Sequence, residues 1–169
     1  VAEPAAPGRP AARRPRAARG IVDTSVVVDL DRLSVGDLPA ELAVSAVTMA
    51  ELAAGPHATG DAAERARRQD RLQRAEAAFD PLPFDGEAAR AYGRIYAAID
   101  RRGTGPRTDD LLVAATACAA GIPLYTRNPA AFRGLEQLVE VIPVQLADEL
   151  PEAARSPDAP LRRRKARSP

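Results

Sequence analysis

Residues 20–28, Gly20-Ile21-Val22-Asp23-Thr24-Ser25-Val26-Val27-Val28, carry a short apolar run into an acid, two hydroxyl residues and a second apolar run. A strand covered on both faces lacks the apolar-polar alternation of a half-wet sheet, and Asp, Thr and Ser are residues that start helices by binding their first amides. The stretch therefore reads as a buried strand opening into a helix. Comparable runs at 42–45, 79–83, 123–126 and 139–143 bring the candidate strands, with 19–22, to five. Helical patterns fill the intervals at 25–33, 47–54, 61–77, 86–102 and 109–120, with a short turn near 129–133. This alternation predicts an α/β fold with a central, mostly parallel five-stranded sheet covered on both sides by helices.

The helix at 109–120 has the clearest boundaries. Thr108 is placed to cap its first amides, Asp109 and Asp110 occupy its positive first turn, and Gly121 followed by Pro123 stops it. Its body is apolar nearly all round, so it must be buried, with its acidic end pinned near the edge of the sheet. The helix at 61–77 is the opposite, with Glu64, Arg65, Arg67, Arg68, Asp70, Arg71 and Arg74. Pairs of opposite sign four residues apart, such as Glu64 and Arg68, fit a solvated face; a surface for RNA or a protein partner is the other reading.

A chain of 169 residues with 46% hydrophobic composition suits one domain with a real core. Its formal charge of +1 conceals segregation. Residues 1–20 hold five arginines against one acid, residues 151–169 hold six basic residues against two acids, and residues 21–150 hold 13 basic against 20 acidic. The expected division is a basic disordered leader at 1–18, a folded domain at 19–145, and a short helix or linker with a basic disordered tail at 146–169. Such ends are either plain solvated tails or phosphate-binding segments whose grip fades with salt. No apolar run approaches the roughly 20 residues that span a bilayer, and the start lacks a signal-peptide core. A soluble cytoplasmic protein with no membrane partner is expected.

Three acids stand at the edges of apolar segments: Asp23 after Gly-Ile-Val, Glu51 within Val-Thr-Met-Ala-Glu-Leu, and Asp110 before Leu-Leu-Val-Ala-Ala-Thr-Ala. Each has an ordinary reading, as a helix cap for Asp23, a solvent-facing residue for Glu51 and a dipole partner for Asp109 and Asp110. Jointly they lie where open α/β sheets build their crevices, beyond the carboxyl ends of the strands. Apolar surroundings oppose ionised carboxylates, and the sole lysine is Lys165, so a divalent cation is the economical counter-charge. Phosphate-binding loops of the Walker type and the aspartate phosphatases that pair an Asp with Lys are excluded by the same absence, and no spaced-glycine dinucleotide fingerprint follows the first strand. Cys118 is alone and reads as a small buried hydrophobe; His57, the one histidine, is given no role.

Four ordered segments, Ile21-Val22-Asp23-Thr24-Ser25, Ser45-Ala46-Val47-Thr48-Met49-Ala50-Glu51-Leu52 with Gly55, Arg107-Thr108-Asp109-Asp110-Leu111-Leu112-Val113-Ala114-Ala115-Thr116-Ala117 and Leu124-Tyr125-Thr126-Arg127-Asn128-Pro129, resemble VapC-type PIN-domain toxins over roughly residues 19–145. The resemblance implies a PIN-like α/β/α sandwich and a Mg²⁺- or Mn²⁺-dependent endoribonuclease, neutralised by a VapB-type antitoxin and forming a homodimer. Asp23 and Glu51 match the family's first two acids. Asp110 rather than Asp109 matches the third, because it directly precedes the Leu-Leu-Val-Ala-Ala run and follows Arg107 by three positions. The family's fourth acid falls at Ala131, in Thr126-Arg127-Asn128-Pro129-Ala130-Ala131-Phe132, where no oxygen ligand is available.

The mechanism that follows is hydrolysis of RNA phosphodiester bonds, with Asp23, Glu51 and Asp110 as metal-holding catalytic acids. Thr24, Ser25, Asp109, Thr126 and Asn128 are expected around them as orienting groups. Arg107 and Arg127 either steer phosphates or serve the surface and the fold. Two alternatives stand beside this: a catalytically impaired PIN-like module that binds RNA or protein, motivated by Ala131, and a metal-dependent DNA nuclease.

Overall fold

The computed structural model of the chain describes residues 16–99 and 107–146. The basic leader up to residue 15, residues 100–102 of the fourth expected helix and the tail from residue 147 lie outside the described residues.

Four strands, β1 (Arg19–Val22), β2 (Glu41–Ala43), β3 (Leu124–Thr126) and β4 (Val141–Pro143), form an all-parallel sheet in the order β2-β1-β3-β4. The expected fifth strand at 79–83 is reduced to one parallel bridge, in which the Leu82 amide donates to Val44 O at 2.9 Å and Leu82 O accepts from the Ala46 amide at 2.8 Å. Its neighbours explain this: Pro81 and Pro83 have no amide hydrogen, so pairing cannot extend past Leu82 in either direction.

Successive residues along each strand feed two separate cores. Ile21, Ala43, Leu124 and Val141 join one core, whereas Val22, Val44, Tyr125 and Ile142 join the other. With both sides apolar, alternation disappears from the sequence. Helices α1 (Thr24–Val28), α2 (Ala46–Ala54) and α3 (Ala62–Ala78) cover one face through Val26, Leu52, Leu72 and Ala75. Helices α4 (Gly86–Ala98) and α5 (Thr108–Ala120) cover the other through Ala91, Ile95, Val113, Ala114 and Ala117. The small side chains of α4 and α5 let the two helices pack closely. The α/β/α sandwich expected from the sequence is the fold.

Local chemistry sets the helix ends. Ser45, Asp61 and Asp85 each accept from an amide three residues on, in the N-cap geometry of α2, α3 and α4. Gly121 closes α5 with φ +64°, its amide donating to Ala117 O and Cys118 O. On α3, Glu64 pairs with Arg67 and with Arg68, both at 2.7 Å, and Arg74 with Asp70 at 2.9 Å, so much of this helix's charge is met within it. The expected helix at 25–33 ends instead at Val28, and a 3₁₀ turn at Leu30–Arg32 follows Asp29. Three successive valines are poor helix formers, and Asp29 is drawn into an ion pair with Arg127.

Residues 16–18, before β1, are tied to the fold. Arg16 donates to Leu38 O at 2.7 Å and Pro39 O at 2.8 Å, while Ala17 O and Ala18 O accept from the amides of Ala40 and Glu41. These bonds lie at the amino ends of β1 and β2. At the opposite edge, the Val144 amide donates to Thr126 O at 2.8 Å, and Leu146 bridges to Leu33 in antiparallel fashion.

Gly20 sits where the buried ring of Tyr125 crosses β1. A Cβ there would stand 2.5 and 2.8 Å from Tyr125 ring carbons and 3.2 Å from Pro123 O. A Gly20→Ala variant is therefore expected to be less stable by about 1–3 kcal/mol, the usual cost of overpacking. Thermal unfolding should show a lower midpoint; an unchanged midpoint would mean that the ring yields freely.

Candidate active site

The chain leaves β1 toward β2 on one side and later crosses over to β3 on the other, which makes the gap between β1 and β3 the switch point of the sheet. Asp23 ends β1 there, only 7% exposed. Its Oδ1 accepts from Ser25 Oγ at 2.5 Å and from the Val26 amide at 3.1 Å, and its Oδ2 accepts from Thr126 Oγ1, at the end of β3, at 2.5 Å. The residue is thus both the cap of α1 and a fixed carboxylate in the crevice. Of the roughly four lone-pair directions of a carboxylate, three are used and one on Oδ2 is left.

Glu51 projects from α2, half-buried, and accepts a short hydrogen bond from Thr24 Oγ1. Burial pushes its pKa above the ordinary glutamate range; the Thr24 bond and the Arg107 charge oppose this, and Asp109 and Asp110 add to it. Asp110, in the first turn of α5, is shifted in the same direction, again by burial first. A bond from the Arg107 backbone and the Arg107 charge oppose that shift, while Asp23 and Asp109 reinforce it. Asp110 thus lies close enough to feel Asp23 and Asp109, and Glu51 close enough to feel Asp109 and Asp110.

Arg107, not Thr108, is the N-cap residue of α5, and its side chain makes no capping bond. Thr108 is already the first helical residue, where its hydroxyl cannot cap its own helix; Asp110 bonds back to the Arg107 backbone instead, as the third residue of a capping box does. The exposed Arg107 guanidinium lies 3.3 Å from Asp109 Oδ2. Arg127 is held by Asp29 through Nη1, and its amide donates to Ser25 Oγ at 3.0 Å. Asn128 is exposed and its amide donates to Thr126 Oγ1 at 2.9 Å. Ala131 is half-buried against the core beneath α4 and α5. Asp29 is the residue that sequence reasoning missed: nothing beside it marks its role, and its partner lies 98 positions away.

Hard oxygen donors, mutual repulsion and the lack of a lysine suit this pocket to a divalent cation. Among the described residues, however, no group of three or more acid, His or Cys side chains is arranged to hold an ion as it stands. Glu51 and Asp23 are turned toward Thr24, Ser25 and Thr126, and chelation would call for rotation of carboxylates out of these bonds.

Residues 20–136 match the PIN domain. The chain belongs to the PIN-domain family. It is 33% identical over 114 residues to Ribonuclease VapC5 of Mycobacterium tuberculosis strain H37Rv, which covers 66% of this chain and 84% of that protein. To Ribonuclease VapC8 of the same strain it is 37% identical over 103 residues, 58% of this chain and 89% of the relative. Among solved structures, a member of the VapBC family of toxin-antitoxin systems, VapBC-5 from M. tuberculosis, superposes with a TM-score of 0.66 at 33% identity, covering 75% of this PIN-domain chain and 99% of the other. FitAcB from Neisseria gonorrhoeae follows at TM-score 0.54 and 26% identity, covering 72% and 95%. Among the described residues no helix is long and apolar enough to cross a membrane.

The raised pKa values of Glu51 and Asp110 fix a sign for pH dependence. A carboxyl that is harder to ionise when folded costs nothing below its unfolded pKa, near 4.5 for Glu51 and 3.8 for Asp110, and its cost grows until the pH passes the raised folded value. Glu51→Gln or Asp110→Asn should therefore raise the melting temperature at pH 7 in chelator, with the gain shrinking toward pH 4. Differential scanning fluorimetry across this range checks it; a lower melting temperature at pH 7 would show that the acids stabilise rather than strain the fold.

Proposed function

We propose that this chain is a VapC-type endoribonuclease that hydrolyses RNA phosphodiester bonds with the help of Mg²⁺ or Mn²⁺. The observation that carries this reading is the electrostatic coupling of Asp23, Glu51, Asp109 and Asp110 at the switch point of a sheet whose relatives include proteins named as ribonucleases. Asp23, Glu51 and Asp110 would hold the cation. When bound, it supplies the positive charge that activates water and offsets negative charge on the reacting phosphate. Ser25 and Thr126 keep Asp23 oriented, Thr24 does so for Glu51, and Arg107 offers its exposed guanidinium to a phosphate. Cys118 packs against the core and His57 sits in the turn after α2, so neither supports a side-chain nucleophile.

Asp23→Asn should lower RNA cleavage by about 10²–10³-fold, the scale of removing one positioned electrostatic group. Chelator should abolish the activity and added Mn²⁺ restore it. Cleavage that persists in chelator, or in the Asp23 variant, overturns the mechanism. RNA and DNA of matched sequence separate an endoribonuclease from a DNA nuclease.

The second reading, a module that binds RNA without cutting it, is favoured by Ala131. Ala131→Asp tests it: a gain in cleavage supports an enzyme weakened at that position, while inactivity of both forms favours the module. By likeness to the VapBC-5 structure, the protein would act as a toxin that pairs with a VapB-type antitoxin; pairing with a second copy of itself is proposed from the family resemblance of the sequence. Co-purification with a small protein encoded beside it, and the mass of the complex in solution, test this pairing.

A further inference from the structure

We propose that Arg127 and Asp29 are positioning residues for the reaction at this site: joined along the length of α1, they hold Ser25 and Thr126 where these two hydroxyls seat Asp23. The inference deepens the ribonuclease reading and rests on it.

Arg127 reaches α1 at both ends. Asp23 is the N-cap of this five-residue helix and Asp29 its C-cap. The Arg127 amide donates to Ser25 Oγ at 3.0 Å in the first turn, while its Nη1 donates to Asp29 Oδ2 at the other end. Ser25 Oγ in turn donates to Asp23 Oδ1 at 2.5 Å. The residues on either side of Arg127 complete the arrangement. Thr126 Oγ1 donates to Asp23 Oδ2 at 2.5 Å and accepts from the Asn128 amide at 2.9 Å. Of the donors to Asp23, Thr126 therefore lies in the segment 126–128 and Ser25 is fastened to it. A helix this short has little stability of its own, so the placement of Ser25 depends on what grips α1 from outside.

The pair is shielded enough for this role. The side chains of Arg127 and Asp29 are 24% and 16% exposed. Ion pairs in open water contribute little, whereas removing one partner of a shielded pair strands the other charge, and the structure relaxes to bring it to water. Here the relaxation would begin in the segment that carries Thr126 and the contact to Ser25. What an incoming cation meets is set by how these two hydroxyls hold Asp23. Groups that orient a metal-holding side chain in this way typically govern both metal affinity and rate. Asp29 also takes a bond from Arg32 Nη1 at 3.3 Å, but Arg32 is 57% exposed and belongs to the 3₁₀ turn after α1. It supplies a control on the same carboxylate.

The experiment compares the full-length protein with Asp29→Asn, Arg127→Gln, the two combined, Arg127→Lys and Arg32→Gln. For each, Mn²⁺ binding is measured by calorimetry without RNA, and kcat and KM on a labelled oligoribonucleotide well below the melting temperature. Asp29→Asn and Arg127→Gln should each lower kcat and Mn²⁺ affinity by about tenfold or more, with KM changed by less than about twofold. The combined variant should be no worse than either alone, since both break one contact. Arg32→Gln should match the parent, and Arg127→Lys, which keeps a cation but loses the planar fork, should fall between the parent and Arg127→Gln. A lower melting temperature with the parent's kcat and Mn²⁺ affinity overturns the proposal, because the pair is then only a brace. So do losses that add in the combined variant, an equal loss in Arg32→Gln, or tighter Mn²⁺ binding, which would mean that the pair restrains the acid against the ion. If Asp29→Asn and Arg127→Gln do not fold, Arg127→Lys decides, and parity with the parent overturns. A parent that does not cut RNA removes the ribonuclease reading and this proposal with it, whereas a parent that cuts beside variants that match it removes the proposal alone.

Discussion

One hydrogen bond, from Thr126 Oγ1 to Asp23 Oδ2, ties together the ends of the two central strands. Asp23 is only 7% exposed, and a buried carboxylate is costly unless donors surround it. Thr126, Ser25 and the Val26 amide are those donors, and each belongs to an element whose placement depends on the sheet. Ser25 then accepts from the Arg127 amide, and Thr126 from the Asn128 amide, so the loop after β3 is folded against the same groups. The conformation of the crevice follows from satisfying one buried acid.

The arginines around the crevice divide by what they touch. Arg127 is spent on Asp29, which fastens the end of α1 to the loop after β3. Arg107 stays exposed at the start of α5 and lies beside Asp109, so it moderates the acids without cancelling them. Of the 24 basic residues, 13 lie in residues 21–150 against 20 acids, and 11 lie in the two ends.

Much of this was legible in the residues. The doubly buried sheet was readable because Ile21 and Val22 serve opposite cores, which removes polar positions from β1. The expectation that Asp23, Glu51 and Asp110 share a site came from strand ends and helix starts falling on one edge. What was not legible depended on partners distant in sequence or on small backbone details. Asp29 has no meaning without Arg127, and the fifth strand failed because prolines flank Leu82 on both sides. Thr108 looked like a cap because its residue type is right, yet the helix begins one position too early for it.

The order of the strands also governs when the crevice can exist. β1 needs β3 beside it, and the partner of Asp23 lies 103 residues downstream. At a synthesis rate of about 5–20 residues per second, a growing chain waits roughly 5–20 s between making the acid and making the threonine that seats it. During that interval β1 has β2 beside it but not β3, and Asp23 lacks the threonine that seats it. Seating of the acid therefore waits on the synthesis of β3, long after β1 has been made.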